Sequence, residues 1–271
     1  MKRTVFFVSD GTAITTETLG HSLLTQFPDI EFEQERLPFV NDLANAAEAV
    51  TRINDACKRD KAPAIVFNTI VDPELCDIIH HSDGIILDLF QAFLGPLEKA
   101  LGTSHLPTVG QAHGMSDSQR YEDRMDATNY AMTHDDGISI DFHDADLILV
   151  GVSRSGKTPT CLYMALHFGV KAANYPLTPE DLDEMRLPTF LRRYKQKIVG
   201  LMIDPVRLAE IRENRKPGSR YASLRQCRQE VEAAKSLFRM AGVPVFYTTH
   251  SSIEEISSRV LMQLGLQREM F

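Results

Sequence analysis

Gly151-Val152-Ser153-Arg154-Ser155-Gly156-Lys157-Thr158 fits the phosphate-cradling pattern Gly-x4-Gly-Lys-[Ser/Thr]. Before it runs Asp146-Leu147-Ile148-Leu149-Val150, which reads as a short buried strand. After it, Cys161 to Phe168 reads as a helix. That strand–loop–helix setting is the one in which the pattern binds phosphate. Two glycines let the loop curl so that its N–H groups, from Gly151, Val152, Ser153, Arg154, Ser155 and Gly156 onward, face an anion. The helix N-terminus adds a partial positive charge. Lys157 is then expected to reach the terminal phosphates, and the Thr158 hydroxyl to hold Mg²⁺. Pro159 is tolerated in the first helical turn, where its missing N–H is not needed. The competing reading is a glycine-rich turn that merely joins strand to helix.

The rest of the 271-residue chain repeats this grammar on both sides of the loop. Upstream, Val5–Val8, Phe32–Val40 (weaker), Ala64–Phe67 and Ile85–Leu87 read as extended. Thr12–Gln26, Leu43–Cys57, Pro73–His80 and Leu89–Leu101 alternate with them as helices. Downstream, strands are expected at Lys171–Tyr175, Ile198–Ile203 and Val243–Phe246. Helices are expected around Asp181–Met185 and Thr189–Tyr194, from Pro205, over Ala222–Met240 and over Ile253–Leu264. Strands alternating with helices predict α/β architecture with parallel sheets. Gly102–Gly114, rich in Gly, Pro, Thr and His, is the linker candidate, and Asp117–Met132 a charged helix. The expected division is residues 1–104 as a parallel-sheet N-terminal half, 105–145 as linker and connecting helix, and 146–271 as a P-loop half.

Composition narrows the function. The chain is 43% hydrophobic and 24% charged, ordinary for a soluble globular protein, and its formal charge is −8. A net-acidic chain is not built to coat nucleic acid or anionic lipid. No apolar run approaches a membrane span. Met1-Lys2-Arg3 leads directly into a strand without a signal-peptide pattern, and Cys57, Cys76, Cys161 and Cys227 are scattered. Free thiols and a cytoplasmic location are the expectation.

Other residues invite chemistry. Asp204 follows the apolar run Ile198–Ile203, where P-loop enzymes place a magnesium-holding Asp. Asp204-Pro205 is equally a helix start, as is Asp72-Pro73. Ser9-Asp10-Gly11-Thr12 is either a second anion-binding turn or a plain capped turn. Residues 205–230 carry seven basic residues against Glu210, Glu213 and Glu230, in an acidic chain. Within them 215–221 reads as a lid-like loop. Arg220 and Arg225 flank it and are the candidates for gripping phosphate, against the alternative of a solvated surface. His113, His134, Asp135 and Asp136 are candidate acids, bases or metal partners, though such turns are more often structural. The absence of Asn-Lys-x-Asp, Asp-x-x-Gly, His-Arg-Asp and Asp-Phe-Gly motifs argues against a GTPase and against the ordinary protein kinase fold.

Several stretches together resemble a known family: Phe7–Ala13, Leu37-Pro38-Phe39-Val40, Ala131–Gly137, Gly151–Pro159, Ala172-Ala173-Asn174-Tyr175-Pro176 and Ser219–Cys227. They are similar to the bacterial regulatory proteins of pyruvate, water dikinase (phosphoenolpyruvate synthase) and pyruvate, phosphate dikinase, and the likeness runs through nearly the whole chain. Ser155-Gly156-Lys157-Thr158 resembles the synthase branch. The resemblance implies a bifunctional enzyme. It phosphorylates a threonine of the synthase with ADP as donor, inactivating it. It also removes that phosphate onto inorganic phosphate, releasing pyrophosphate. The implied ligands are ADP and inorganic phosphate, with Mg²⁺ the expected companion ion and the synthase the protein partner; a homodimer is left open. Lys157, Asp204, Arg220 and Arg225 are the expected catalytic residues, and Thr158 and Asp204 the expected metal ligands. A small-molecule kinase using ATP and a non-catalytic nucleotide sensor are the other two readings.

Overall fold

A computed structural model describes residues 2–105 and 118–266, with the side chains of 118–120 outside the description. The chain divides into two compact units, Met1–Gly114 and Met115–Phe271. Most of the expected linker, with His113, lies outside the described residues.

The first unit is built from β1 (Lys2–Val8), α1 (Ile14–Leu24), β2 (Glu31–Leu37), α2 (Leu43–Asp60), β3 (Ile65–Asn68), α3 (Pro73–His80), β4 (Ile85–Asp88) and α4 (Leu89–Leu101). Its sheet has the order β2-β1-β3-β4, all parallel. Val5-Phe6-Phe7-Val8 is apolar throughout because a central parallel strand is covered on both faces. Phe6 and Val8 pack with Ala46, Ala49 and Ile53 of α2 and with Ile79 of α3. Val5 and Phe7 face the other way, with Leu24 and Phe67. Gly20 lets α1 press onto that face: a Cβ there would lie 2.5 Å from the Phe7 ring. The extended segment expected to reach Val40 stops at Leu37, since Phe39 turns with φ 58°.

The second unit contains α5 (Ser118–Thr133), β5 (Leu147–Gly151), α6 (Lys157–Phe168), β6 (Ala172–Pro176), α7 (Pro179–Glu184), α8 (Thr189–Arg192), β7 (Ile198–Met202), α9 (Pro205–Arg215), α10 (Leu224–Ala241), β8 (Val245–Tyr247) and α11 (Ile253–Leu264). The parallel order β6-β5-β7-β8 repeats that of the first unit, as second, first, third, fourth. Leu147, Leu149, Val199 and Leu201 pack under α5, α6 and α11. Ile148, Val150, Ile198 and Met202 pack under α7, α9 and α10. In such a sheet the chain leaves the first strand toward one neighbour and later returns on the other side. The crevice at the carboxyl ends of these strands is where ligands bind. The loop Gly151–Gly156 emerges there.

Two boundaries differ from the sequence reading. α10 begins at Leu224 because the Ser223 side chain caps it, and Arg220–Ala222 forms a separate 3-10 turn. The last strand is shifted toward Tyr247: the Pro244 carbonyl accepts from Gly200, but proline has no N–H to donate. The α/β class with parallel sheets stands as expected. Among the described residues no helix is long and apolar enough to cross a membrane.

Candidate active site

Gly151 ends the buried strand β5 under a tight roof. A Cβ there would lie 2.5 Å from the Leu201 carbonyl oxygen and 2.9 Å from Ser155 Oγ, so no side chain fits. The loop then closes through two left-handed residues, Arg154 (φ 73°) and Gly156 (φ 90°). Gly156 stands at the N-cap of α6 and offers no side-chain cap. The first N–H groups of α6 are thus left to an external acceptor, the arrangement that favours an anion.

Lys157 lies under the loop, 3% exposed, and donates from Nζ to the Val152 carbonyl at 3.0 Å. Burial pulls its pKa down to about 8, against the opposing pull of Asp136 and Asp135. An incoming phosphate would raise that pKa again and give the ammonium a better partner. Thr158 Oγ1 donates to Asp135 Oδ1 at 2.7 Å. Asn174 Nδ2 donates to Asp135 Oδ1 and, at 3.0 Å, to Thr158 Oγ1. Asn174 Oδ1 accepts from the Asp136 N–H at 3.2 Å, and the Asn174 backbone N–H donates to the His134 carbonyl at 3.1 Å. The turn 134–137 is therefore tied to the middle of β6 and delivers Asp135 to Thr158 at the end of the loop. Thr158 and Asp135 present adjacent hard oxygen donors, which fits Mg²⁺.

Asp204 is placed differently from Asp135. Its Oδ1 accepts from Val206 N at 2.8 Å and Arg207 N at 3.1 Å, which makes it the cap of α9. It lines a cavity with Thr249, His250 and Arg259. The carboxylate bonded to Thr158 is that of Asp135. His134 stacks on Tyr130, and its ring nitrogens face the carbonyls of Tyr130 and Asp141, a structural tie.

The basic segment is organised by Arg212, which the sequence reading counted but did not single out. Arg212 is fully buried. One guanidinium nitrogen donates to Glu230 Oε2 at 2.7 Å and to the Ser153 carbonyl at 3.1 Å. Another donates to the Tyr221 carbonyl at 3.1 Å, and the guanidinium stacks 4.0 Å from the Tyr221 ring centre. Ser153 Oγ and the Tyr221 hydroxyl are hydrogen-bonded at 2.9 Å. Arg212 thus clamps the phosphate loop to the turn bearing Arg220. That turn is itself hydrogen-bonded, with Gly218 N donating to Glu213 and Ser219 capping Ala222. Arg220 is exposed and lines a cavity beside Ser153. Arg225 is exposed on α10, outside that lining.

In the first unit Ser9 closes its own turn, while Asp10 ties that turn to the segment after β3. Ser9 Oγ accepts from Gly11 N, and Asp10 Oδ2 accepts from Val71 N. Cys76, His80 and Asp88 come close enough to hold a metal ion. The Cys76 thiol there donates to Asp88, and burial pushes its pKa up to about 12.

The model of the Kinase/pyrophosphorylase family matches residues 5–261. The chain is 55% identical to a protein of Stenotrophomonas maltophilia (strain R551-3). It is 51% identical to proteins of Xanthomonas campestris pv. campestris (strain B100) and Xanthomonas oryzae pv. oryzae (strain MAFF 311018). Each alignment covers 99% of this chain and 98% of the relative, and each relative bears the name "Putative phosphoenolpyruvate synthase regulatory protein". With the Gly151–Thr158 loop at the sheet crevice and a family match over nearly its full length, the chain belongs to the kinase/pyrophosphorylase family.

Proposed function

We propose that this chain regulates phosphoenolpyruvate synthase in both directions from one phosphate cradle. In one direction it is an ADP-dependent kinase that phosphorylates a threonine of the synthase. In the other it is a phosphorylase that moves that phosphate onto inorganic phosphate and releases pyrophosphate. The observation that carries the reading is the single cluster of Lys157, Thr158, Asp135 and Asn174 at the phosphate loop, in a chain whose relatives are named as regulators of that synthase.

The loop N–H groups and the α6 N-terminus hold the phosphates in place, which is most of what phosphoryl transfer asks of a protein. Lys157 lies beneath the loop, where it neutralises charge building on the transferred group. Thr158 and Asp135 would hold Mg²⁺, which when bound screens the phosphate oxygens. Asn174 fixes the Asp135 carboxylate against Thr158, so both oxygen donors are set before ligand arrives. A cradle of this kind accepts the terminal phosphate of ADP or free inorganic phosphate. That is the property a two-way enzyme with one site needs.

The test is to incubate the protein with β-labelled ADP and synthase whose target threonine is free, then with inorganic phosphate. Label on a synthase threonine in the first step, and labelled pyrophosphate in the second, support the reading. Transfer from ATP to a metabolite identifies a small-molecule kinase instead. Nucleotide binding without turnover identifies a sensor.

A further inference from the structure

Beside the phosphate loop lies a cavity of about 580 Å³. Ser153 forms its loop-side wall, Arg220 and Tyr221 a second, and Leu182, Gln226 and Ala233 line the remainder. The exposed Arg220 and Gln229 open it to solvent. Its walls mix the exposed Arg220 guanidinium, the paired Arg212 and Glu230, the Asp183 carboxylate, side-chain amides and apolar surface, the mixture of apolar lining and a few placed polar groups that a binding pocket has.

Lys157 decides which end of a nucleotide faces this cavity. Its ammonium rests at the Val152 carbonyl, one residue before Ser153. In a phosphate loop the lysine serves the terminal phosphate. The terminal phosphate is thereby assigned to the Val152–Ser153 edge. The nucleoside then leaves on the side away from Ser153, beyond the Thr158–Asp135 pair that would hold a metal between the phosphates. The cavity accordingly meets the reacting phosphorus and not the base.

We propose that this cavity is the acceptor pocket, into which a protein substrate inserts the hydroxyl side chain to be phosphorylated. This rests on the phosphoryl-transfer reading above. The hydroxyl oxygen entering past Tyr221 forms the new bond to the terminal phosphorus. The bond from that phosphorus to the bridging oxygen breaks, and the nucleoside monophosphate leaves with the electron pair. The hydroxyl proton is lost to water at the cavity mouth. In the reverse direction an oxygen of inorganic phosphate forms the bond to phosphorus, and the side-chain oxygen leaves and takes a proton from water. Arg220, the exposed cation on the cavity wall, contacts the phosphoryl group as it passes between the two sites, whereas Arg212 is held by Glu230. Arg212, behind the Ser153–Tyr221 pair, is a positioning residue that sets the distance between cradle and pocket.

Ala233→Trp fills the cavity from α10 without removing a polar group, and Gln229→Trp does so from the exposed rim. Each full-length variant is compared with wild type for melting temperature, ADP affinity by calorimetry, and steady-state transfer to the synthase. The expected result is a KM for the synthase raised at least about tenfold, the scale of one obstructed pocket contact, with ADP affinity and melting temperature unchanged. Equal loss of ADP affinity would make the cavity the nucleoside pocket and overturn the proposal. A wild-type KM in both variants, or in the one that folds, would remove the cavity from the site. Failure of wild type itself to transfer phosphate would sink the functional reading, and the acceptor pocket with it.

Discussion

Replacing Arg212 with alanine tests the clamp between phosphate loop and basic turn. The guanidinium is fully buried, while the Glu230 side chain keeps 19% of its surface exposed. Removing one member of a buried ion pair costs about 3–5 kcal/mol, chiefly because the other charge is stranded. Here the stranded carboxylate can still reach water, which argues for the lower end. The same substitution frees the Ser153 and Tyr221 carbonyls, each hydrogen bond worth roughly 1 kcal/mol net. It also removes the stacking on Tyr221, worth about 1–2 kcal/mol when desolvated. These contributions overlap and do not add. An overall loss near 4 kcal/mol is expected, from a total of roughly 5–15 kcal/mol for an ordinary domain. At about 2–4 °C per kcal/mol for a unit of this size, the melting temperature should fall by roughly 10 °C. Urea unfolding of wild type, Arg212→Ala, Glu230→Gln and the double variant closes the cycle. The double variant should be less damaged than the sum of the singles, because no charge is left stranded. A single-variant loss below about 1 kcal/mol, or strict additivity in the cycle, would refute the clamp. Arg212→Lys retains charge without the fork and should rescue stability better than it rescues the KM for the synthase.

Lys157→Ala should abolish both reactions with the fold intact; survival of either at wild-type rate would require a second site. Lys157 also carries a pH signature. Folding lowers its pKa from 10.5 to about 8, so the unfolded chain binds more protons between those values and stability rises with pH across that window. Lys157→Met should therefore melt higher than wild type at pH 7, with the difference shrinking from pH 8 to 10.5, and ADP binding at pH 8 should take up protons, read by calorimetry in buffers of different ionisation enthalpy. Asp135→Asn should weaken Mn²⁺ binding measured by paramagnetic resonance along with activity, whereas Asp204→Asn should keep both and still cap α9; activity lost in Asp204→Asn at unchanged melting temperature would put Asp204 in the metal set. Arg220→Lys should slow transfer with ADP affinity intact while Arg225→Lys behaves as wild type, and the opposite pattern would move the phosphate contact to α10.

The alternation of apolar runs and amphipathic helices made the two parallel sheets legible, because a buried parallel strand such as Leu147–Gly151 has to be apolar on both faces. The tight strand-to-helix loop Gly151–Thr158 was legible because its glycines answer to local geometry: Gly151 meets a carbonyl oxygen and Gly156 takes a positive φ. Of the partners of that loop, Asp135 was one of four candidates in polar turns, but its pairing with Thr158 was not readable, and Asn174 was not singled out. Asp135 and Asn174 sit 23 and 16 residues from Thr158 along the chain and meet it only through the pairing of β5 with β6. No short spacing announces such a contact, although both residues lie in stretches that carried the family resemblance. Arg212 was hidden by its composition. In a run of seven basic residues nothing local marks the one that folds inward, and its burial follows from Glu230 arriving 18 residues later on α10. Asp204 shows the reverse case, in which a sequence position familiar from metal sites is also a helix start, and the side chain serves the helix.

The shared strand order also bears on how the chain is made. Neither sheet borrows a strand from the other unit: β1 to β4 are complete by Asp88, and β5 to β8 all follow Asp146. Each strand joins its sheet through a single intervening stretch of local chain. The N-terminal sheet therefore has every strand it needs while the phosphate loop is still unsynthesised. Folding can follow the direction of translation, one unit at a time, as domains emerging from the ribosome generally do. A nascent chain stalled before residue 146 would already own the four strands of its first sheet and the two apolar clusters that pack on its faces.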